Sequence, residues 1–234
     1  MIGIFGGTFD PPHWGHVKLA KNFIEAFQLD ELIWLPAGEP WQKSSKITPA
    51  ETRYQMTLAA MQDLSDVIPS TLRTKVSVSR LELDRQGPSY TIDTAKKLRS
   101  LHGGETPLIW LMGADSYQNL PSWNDWELLP EYLHLAVASR KVSPKVDMSN
   151  LNFNEKQSAT EMVALFDKRI TQDPADLAHL AKGKVFFDEN FHVDLSSTEL
   201  REQLTQGIAN AQLKQSLSPR VLEIINRLQI YYPH

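Results

Sequence analysis

This sequence predicts an α/β fold, a doubly wound parallel sheet with helices on both faces. Three observations lead there. The first apolar run, Ile2 to Phe5, stops at two glycines and gives way to a helical pattern. Further strand-like runs then alternate with helical segments, as when parallel strands are joined by helical crossovers. Finally, the runs Ile2–Phe5 and Pro107–Met112 are apolar throughout, as strands covered on both faces must be.

Each element has its own signal. After Gly6 and Gly7, where the chain must turn sharply and leave backbone bare, Thr8 to Pro12 forms a loop stiffened by Pro11 and Pro12. From Trp14 onward Val17, Leu19, Ala20, Phe23, Ile24 and Phe27 share one apolar helical face. Glu31–Pro36 reads as the second strand and Ala37–Ile47 as a polar loop carrying Lys43 and Lys46. Thr48-Pro49-Ala50-Glu51 predicts a helix start, with Thr48 as N-cap, and the helix runs to about Leu64. Val76–Arg80 alternates like a strand, Gly87-Pro88-Ser89 breaks the chain, and Tyr90–Leu101 is helical up to Gly103 and Gly104.

Pro107–Met112, stopped by Gly113, and Leu133–Ser139 are the next strands. Between Ser143 and Lys182 the pattern weakens. Ala159–Ile170 is helical, Gln172-Asp173-Pro174 breaks it, and the stretch reads as a surface excursion between strands. Val185–Phe187 and His192–Leu195 are short strand candidates. Ser196-Ser197-Thr198-Glu199 has the form of a capping box, with Leu195 and Leu200 placed for a hydrophobic staple. Ser218-Pro219 opens a last helix that ends near Leu228. The whole chain, 1–234, is expected to be a single domain, with the excursion at about 143–182 and C-terminal helices from about 196.

Composition narrows the function. A chain of 234 residues, 41% hydrophobic and 22% charged, can bury a core without staples. A net charge of −4 argues against a broad nucleic-acid footprint, so a small anionic substrate needs local basic residues. The absence of cysteine removes disulfides, thiol nucleophiles and cysteine-based zinc sites, and suits a cytoplasmic protein. The N-terminal stretch lacks a basic region before its apolar residues, and no apolar run reaches membrane-spanning length.

His13 and His16 fall three residues apart at the predicted helix entrance. The first turn of a helix carries free N–H groups and the positive end of the dipole, so a strand, a glycine loop and two histidines make a place to hold phosphate. Two other readings of the pair stand beside it, ordinary polar surface and zinc. Zinc wants further ligands, and only Asp10 is close in sequence.

The stretch Gly6–His16, GGTFDPPHWGH, resembles the G-x-F-D-x-x-H-x-G-H signature of the nucleotidyltransferase superfamily, and its wording is most similar to the nicotinate mononucleotide adenylyltransferase family. Leu195–Arg201, LSSTELR, resembles the second superfamily signature, I-S-S-T-x-x-R. The resemblance implies a Rossmann-like nucleotidyltransferase fold. It also implies adenylyl transfer from ATP to nicotinate mononucleotide, giving nicotinate adenine dinucleotide and pyrophosphate in NAD synthesis, with Mg²⁺ carried by the ATP.

On that resemblance His13 and His16 hydrogen-bond the triphosphate, while Gly6, Gly7, Thr8 and Phe9 bring backbone N–H groups to phosphate and adenosine. Ser197 and Thr198 aim a helix start at the triphosphate, and Arg201 pairs phosphate oxygens. By themselves these three residues read as a capped helix with one solvated arginine. Lys43 supplies positive charge in a loop where relatives carry P-P-H-K; here it reads P-W-Q-K, with Gln42 in place of the histidine. Tyr90, Thr91, Trp123 and Asn124 correspond to the pyridine-nucleotide pocket, with Trp123 stacking on the ring and Asn124 where an aromatic is common. Asp115 binds a ribose hydroxyl or caps its helix, and Arg140 meets the acceptor phosphate or faces solvent. Two other functions stay open: a sister transferase acting on nicotinamide mononucleotide, phosphopantetheine or a cytidylyl acceptor, and a non-catalytic nucleotide-binding module.

Overall fold

The computed structural model of the chain describes residues 1–40, 47–138, 153–189, 191, 195–206 and 211–232. In chain order it runs β1 (Ile2–Gly7), α1 (Trp14–Phe27), β2 (Glu31–Pro36), α2 (Ala50–Val67), β3 (Lys75–Val78), α3 (Thr91–His102) and β4 (Leu108–Gly113). There follow α4 (Ala114–Gln118), two 3₁₀ turns (Leu120–Ser122 and Trp126–Glu131), β5 (His134–Ala138), α5 (Phe153–Asp167), β6 (Ile170–Thr171) and α6 (Asp176–His179). The chain ends with β7 (Val185–Asp188), α7 (Ser197–Thr205), α8 (Ala211–Ser216) and α9 (Pro219–Leu228). No helix among the described residues is long and apolar enough to cross a membrane.

The strands lie in the order β3-β2-β1-β4-β5-β7-β6, and every pairing described is parallel. The chain lays β2 and β3 to one side of β1 and then builds outward on the other side, so the order reverses at β1. Ligands of doubly wound sheets bind beyond the carboxyl ends of the strands at such a reversal. For β1 that end is Gly6 and Gly7. The predicted fold class is the one found.

The chain divides into two compact units, Met1–Phe5 with Tyr90–His192, and Gly6–Ser89 with Val193–His234. In the first unit, β4 and β5 run in register from Ile109 opposite His134 to Gly113 opposite Ala138. Leu108, Ile109, Leu111, Ala136 and Val137 are wholly buried, which accounts for their unbroken apolar runs. The stretch read as an excursion contributes to this core. Ala159, Met162 and Phe166 of α5 are wholly buried at helical spacing, and Ile170 pairs with Val185. The helix predicted at Ala159–Ile170 begins earlier, at Phe153, and stops short of Ile170 because Ile170–Thr171 is taken by the sheet. Arg99 ends α3 by donating to the carbonyls of Gly103, Thr106, Tyr132 and Ala181 at 2.6 to 2.9 Å.

In the second unit, the predicted apolar face of α1 is buried from Val17 to Phe27, with the Phe23 and Phe27 rings stacked 5.5 Å apart. Two predicted caps are not made. Pro49, not Thr48, holds the N-cap position of α2, because the Thr48 N–H and hydroxyl are drawn instead to Asp10 and Tyr231. Ser196 does precede α7, yet its side chain makes no capping bond. Ser218 caps α9 as predicted, accepting from the Val221 N–H at 3.2 Å, and Arg220 pairs with Asp63 and Asp66 on α2. The short strand predicted at His192–Leu195 lies mostly outside the described residues, and Leu195 itself is not in a strand.

The α2 residue Arg53 is 1% exposed and spends its guanidinium on three carbonyls: Nε on Thr48 at 2.9 Å, Nη1 on Thr8 at 2.9 Å and Nη2 on Gly38 at 2.8 Å. Gly38 has no room for a side chain, since a Cβ there would sit 2.2 Å from the Glu82 carbonyl oxygen. A lysine ammonium cannot span the three carbonyls that the guanidinium fork reaches. Arg53→Lys should lower unfolding free energy by about 3 kcal/mol, at about 1.5–3 kcal/mol for each lost bond to a charged donor. The check is the urea midpoint at neutral pH with an unchanged denaturant slope; an unmoved midpoint would show the three contacts to be dispensable.

Candidate active site

The carboxyl end of β1 opens directly into the loop that carries the first signature. Gly7 accepts the Ala37 N–H at 2.9 Å, and a Cβ on Gly7 would lie 2.9 Å from the Phe9 ring, so glycine is needed there for close approach. Phe9 is 2% exposed and takes the left-handed conformation with φ of 50°, which a bulky residue holds only when its surroundings enforce it. Its ring packs on His16 at 5.1 Å and on Trp34 at 5.2 Å. The turn is thus clamped from inside by the same aromatic that the signature requires.

The two histidines cap α1 reciprocally. The Gly15 N–H donates to His13 Nδ1 and the His13 N–H donates to His16 Nδ1, both at 3.1 Å. A ring that accepts at Nδ1 carries its proton on Nε2 when neutral, so both imidazoles are held as Nε2–H donors. The rings lie 3.8 Å apart. Burial brings His13 down to about 4, and burial together with His13 holds His16 well below the usual histidine range. At neutral pH both therefore act as neutral donors. Positive charge at the site must come from elsewhere.

The second signature is brought to the first. Arg201 donates through Nη1 to the Asp10 carbonyl at 2.7 Å and through Nη2 to the Thr198 hydroxyl at 3.2 Å. The Ser197 hydroxyl donates to the Pro11 carbonyl at 2.9 Å. A guanidinium has five N–H groups, so these contacts aim Arg201 and leave donors over for an anion. Arg201 is therefore not simply solvated but anchored at the loop of the first signature. The Asp10 carboxylate is 3% exposed and accepts from the Tyr231 hydroxyl and the Thr48 N–H. With both oxygens so engaged it is not presented as a metal ligand.

Gly6, Gly7, Thr8, Phe9, His13, His16, Ser197, Thr198 and Arg201 all lie in the second unit, linked through Asp10 and Pro11. The pyridine-nucleotide candidates lie in the first unit on separate elements. Tyr90 holds the N-cap position of α3 without a side-chain capping bond, and Thr91 begins the helix. Asp115 is exposed in the first turn of α4 and does not cap it; Gly113 stands at the cap position. Trp123 is half-buried and its N–H is taken by the Leu120 carbonyl at 2.9 Å, so Trp123-Asn124 is not an open helix entrance; the next turn begins at Trp126, after Asp125. Lys43, Gln42 and Arg140 lie outside the described residues.

Sequence reasoning missed Arg53, Gly38, Thr48, Tyr231 and the side chain of Asp10 as parts of this site. For Arg53 a signal existed: it shares a helical face with Met56, Thr57 and Ala60, where a charge must be buried and therefore partnered. Nothing local marks Tyr231, whose hydroxyl finds its partners 183 and 221 residues away.

Residues 4–203 match the cytidylyltransferase-like family. A probable nicotinate-nucleotide adenylyltransferase of Methylococcus capsulatus is 33% identical over 231 residues, covering 99% of both chains. One from Herminiimonas arsenicoxydans is 34% identical over 206 residues, covering 88% of this chain and 86% of the relative. The chain belongs to the nicotinate-nucleotide adenylyltransferase family of cytidylyltransferase-like proteins. Its fold is shared with Plasmodium falciparum nicotinic acid mononucleotide adenylyltransferase complexed with NaAD, at a TM-score of 0.68 and 16% identity, covering 98% of this chain and 96% of that one. The family's two signatures are thus the two segments that Arg201 and Ser197 tie together.

The buried histidine pair has a pH consequence. The unfolded His13 takes a proton near 6.5 and the folded one only at about 4, so between those values the unfolded chain binds more protons. Stability should therefore fall as pH drops through that window, by up to about 3 kcal/mol for His13. Imidazole titration followed by NMR should give a midpoint for His13 near 4 and the Nε2–H tautomer at neutral pH; a midpoint near 6.5 would overturn this account.

Proposed function

We propose that this chain transfers the adenylyl group of ATP to nicotinate mononucleotide, releasing pyrophosphate and forming nicotinate adenine dinucleotide, a step of NAD synthesis. The observation that carries the reading is the bond from Arg201 to the Asp10 carbonyl, which sets the second signature on the first. Relatives covering nearly the whole chain bear the name of this activity. A cytoplasmic location fits the cysteine-free sequence.

An oxygen of the acceptor's phosphate attacks the α-phosphorus in line, the bond from that phosphorus to the bridging oxygen breaks, and pyrophosphate leaves with the electron pair. The attacking phosphate has a second pKa of about 6 and is ionised at neutral pH, so no protein base is needed. Catalysis then rests on positioning and charge stabilisation. Neutral His13 and His16 donate through Nε2 to the triphosphate, Arg201 supplies the forked positive charge, and Ser197 and Thr198 bring the start of α7. Lys43 adds charge. Mg²⁺ enters with ATP, held by its phosphates. Tyr90, Thr91, Asp115, Trp123, Asn124 and Arg140 serve the acceptor.

Release of pyrophosphate from ATP, measured with and without nicotinate mononucleotide, tests the reading, and acceptor-independent or absent release would refute it. Loss of a donor to the developing charge costs about 3–4 kcal/mol, so His16→Ala should lower kcat by about 10²–10³ while the protein stays folded. Near-normal kcat in that variant would make His16 structural.

The acid acceptor should be preferred over the amide. The N-terminus of α3, where Tyr90 makes no side-chain cap, offers N–H groups that suit a carboxylate and not an amide NH₂. A bond to a charged group is worth about 1.5–3 kcal/mol, which predicts at least about tenfold higher kcat/KM for nicotinate mononucleotide than for nicotinamide mononucleotide. Equal kcat/KM for the two would rule this out.

A further inference from the structure

The catalytic reading above leaves the half-buried Tyr231 unused. Tyr231, near the end of the described chain, donates its hydroxyl to Asp10 Oδ1 and accepts from the Thr48 hydroxyl at 3.0 Å. The other Asp10 oxygen takes the Thr48 N–H, so the tail and the start of α2 share one carboxylate. The Asp10 carbonyl takes Arg201. The Thr205 hydroxyl, four residues along α7, shares its proton between the Arg201 carbonyl at 2.8 Å and the Tyr231 carbonyl at 3.1 Å. A closed ring of contacts therefore runs from Asp10 through Tyr231, Thr205 and Arg201 back to Asp10. Tyr231 takes a left-handed φ of 67°, a conformation that a tail residue adopts only when it is held. Its hydroxyl points into the protein at Asp10, so it does not face substrate.

We propose that Tyr231 is a positioning residue for adenylyl transfer, fixing the Asp10 carboxylate so that the turn bearing His13 and His16 stays set against Arg201. Burial and the Asp10 carboxylate push the Tyr231 hydroxyl far above the usual tyrosine range, so it remains a donor throughout the pH range of the enzyme. Without that donor Asp10 Oδ1 is a buried, unpaired carboxylate oxygen, and the turn moves to solvate it. The proposal rests on the adenylyl-transfer reading.

The test is Tyr231→Phe, which keeps the ring and removes the hydroxyl. A misplacement of the catalytic turn should lower kcat by about 10- to 100-fold. KM for nicotinate mononucleotide should stay within about twofold, since its candidate residues lie on other elements, while KM for ATP rises with the displaced turn. Amide exchange at Thr48, whose acceptor is Asp10, should quicken at least about tenfold over wild type. The double variant Tyr231→Phe/Asp10→Asn should be no slower than Asp10→Asn alone, because the hydroxyl acts only through that carboxylate. Multiplying effects, or wild-type kcat and Thr48 exchange in Tyr231→Phe, overturn the proposal. If Tyr231→Phe does not fold, Thr205→Val frees the tail from α7 instead; it should lower kcat and quicken Thr48 exchange in the same direction, and wild-type values in it overturn the proposal. A wild type that does not transfer to nicotinate mononucleotide, with Thr48 exchange still responding to Tyr231→Phe, would sink the functional reading and leave the Asp10 restraint standing.

Discussion

Burying a guanidinium and a carboxylate in one corner of the second unit is the constraint on which the site depends. Arg53 and Asp10 are 1% and 3% exposed, and a buried charge is tolerated only when its hydrogen-bonding capacity is met. Arg53 meets its need with one carbonyl from the β1–α1 connection and two from the β2–α2 connection, and Asp10 with an amide and a hydroxyl. Thr48 belongs to both sets, giving its carbonyl to Arg53 and its N–H to Asp10. The loop after β1, the loop after β2 and the start of α2 therefore cannot move independently. The first unit uses the same device at Arg99, which gathers carbonyls from the end of α3 and from two loops.

That rigidity determines what the histidines can be. Their Nδ1 atoms are consumed by backbone N–H groups of the cap, and their burial keeps them neutral. A neutral donor fixed in direction suits a polyphosphate whose charge grows during reaction, since it stabilises charge without first attracting a counter-ion. It also explains why a cation from outside the loop is needed. In the proposed mechanism Arg201 takes that place; it is carried by α7 and seated on the turn that the histidines begin from.

Much of the scaffold was legible in the sequence. Apolar periodicity located α1, flanking breaker residues located α3, and unbroken apolar runs located β1, β4 and β5, because burial and chain breaks both leave a local trace. Ser218-Pro219 was read correctly as a helix start. Ser196 was also placed correctly before α7, though its side chain makes no capping bond, and Thr48 stands one residue ahead of the N-cap of α2. A hydroxyl at a helix entrance has a local use, and the folded chain offered Thr48 a distant partner instead. The trace failed again between Ser143 and Lys182, where a two-residue edge strand is too short to alternate and the described residues of α5 bury Ala159, Met162 and Phe166 in a narrow stripe.

By itself the sequence determined the fold class, the two signatures and hence the family, since these depend on residue types at fixed spacing within single segments. Tertiary structure alone decided that the histidines are neutral Nε2–H donors, that Arg201 reaches the first signature, and that Tyr231 closes on Asp10. Each of those depends on burial or on a partner far along the chain. Protonation follows from desolvation and hydrogen bonding, and both exist only once the chain has folded around the group.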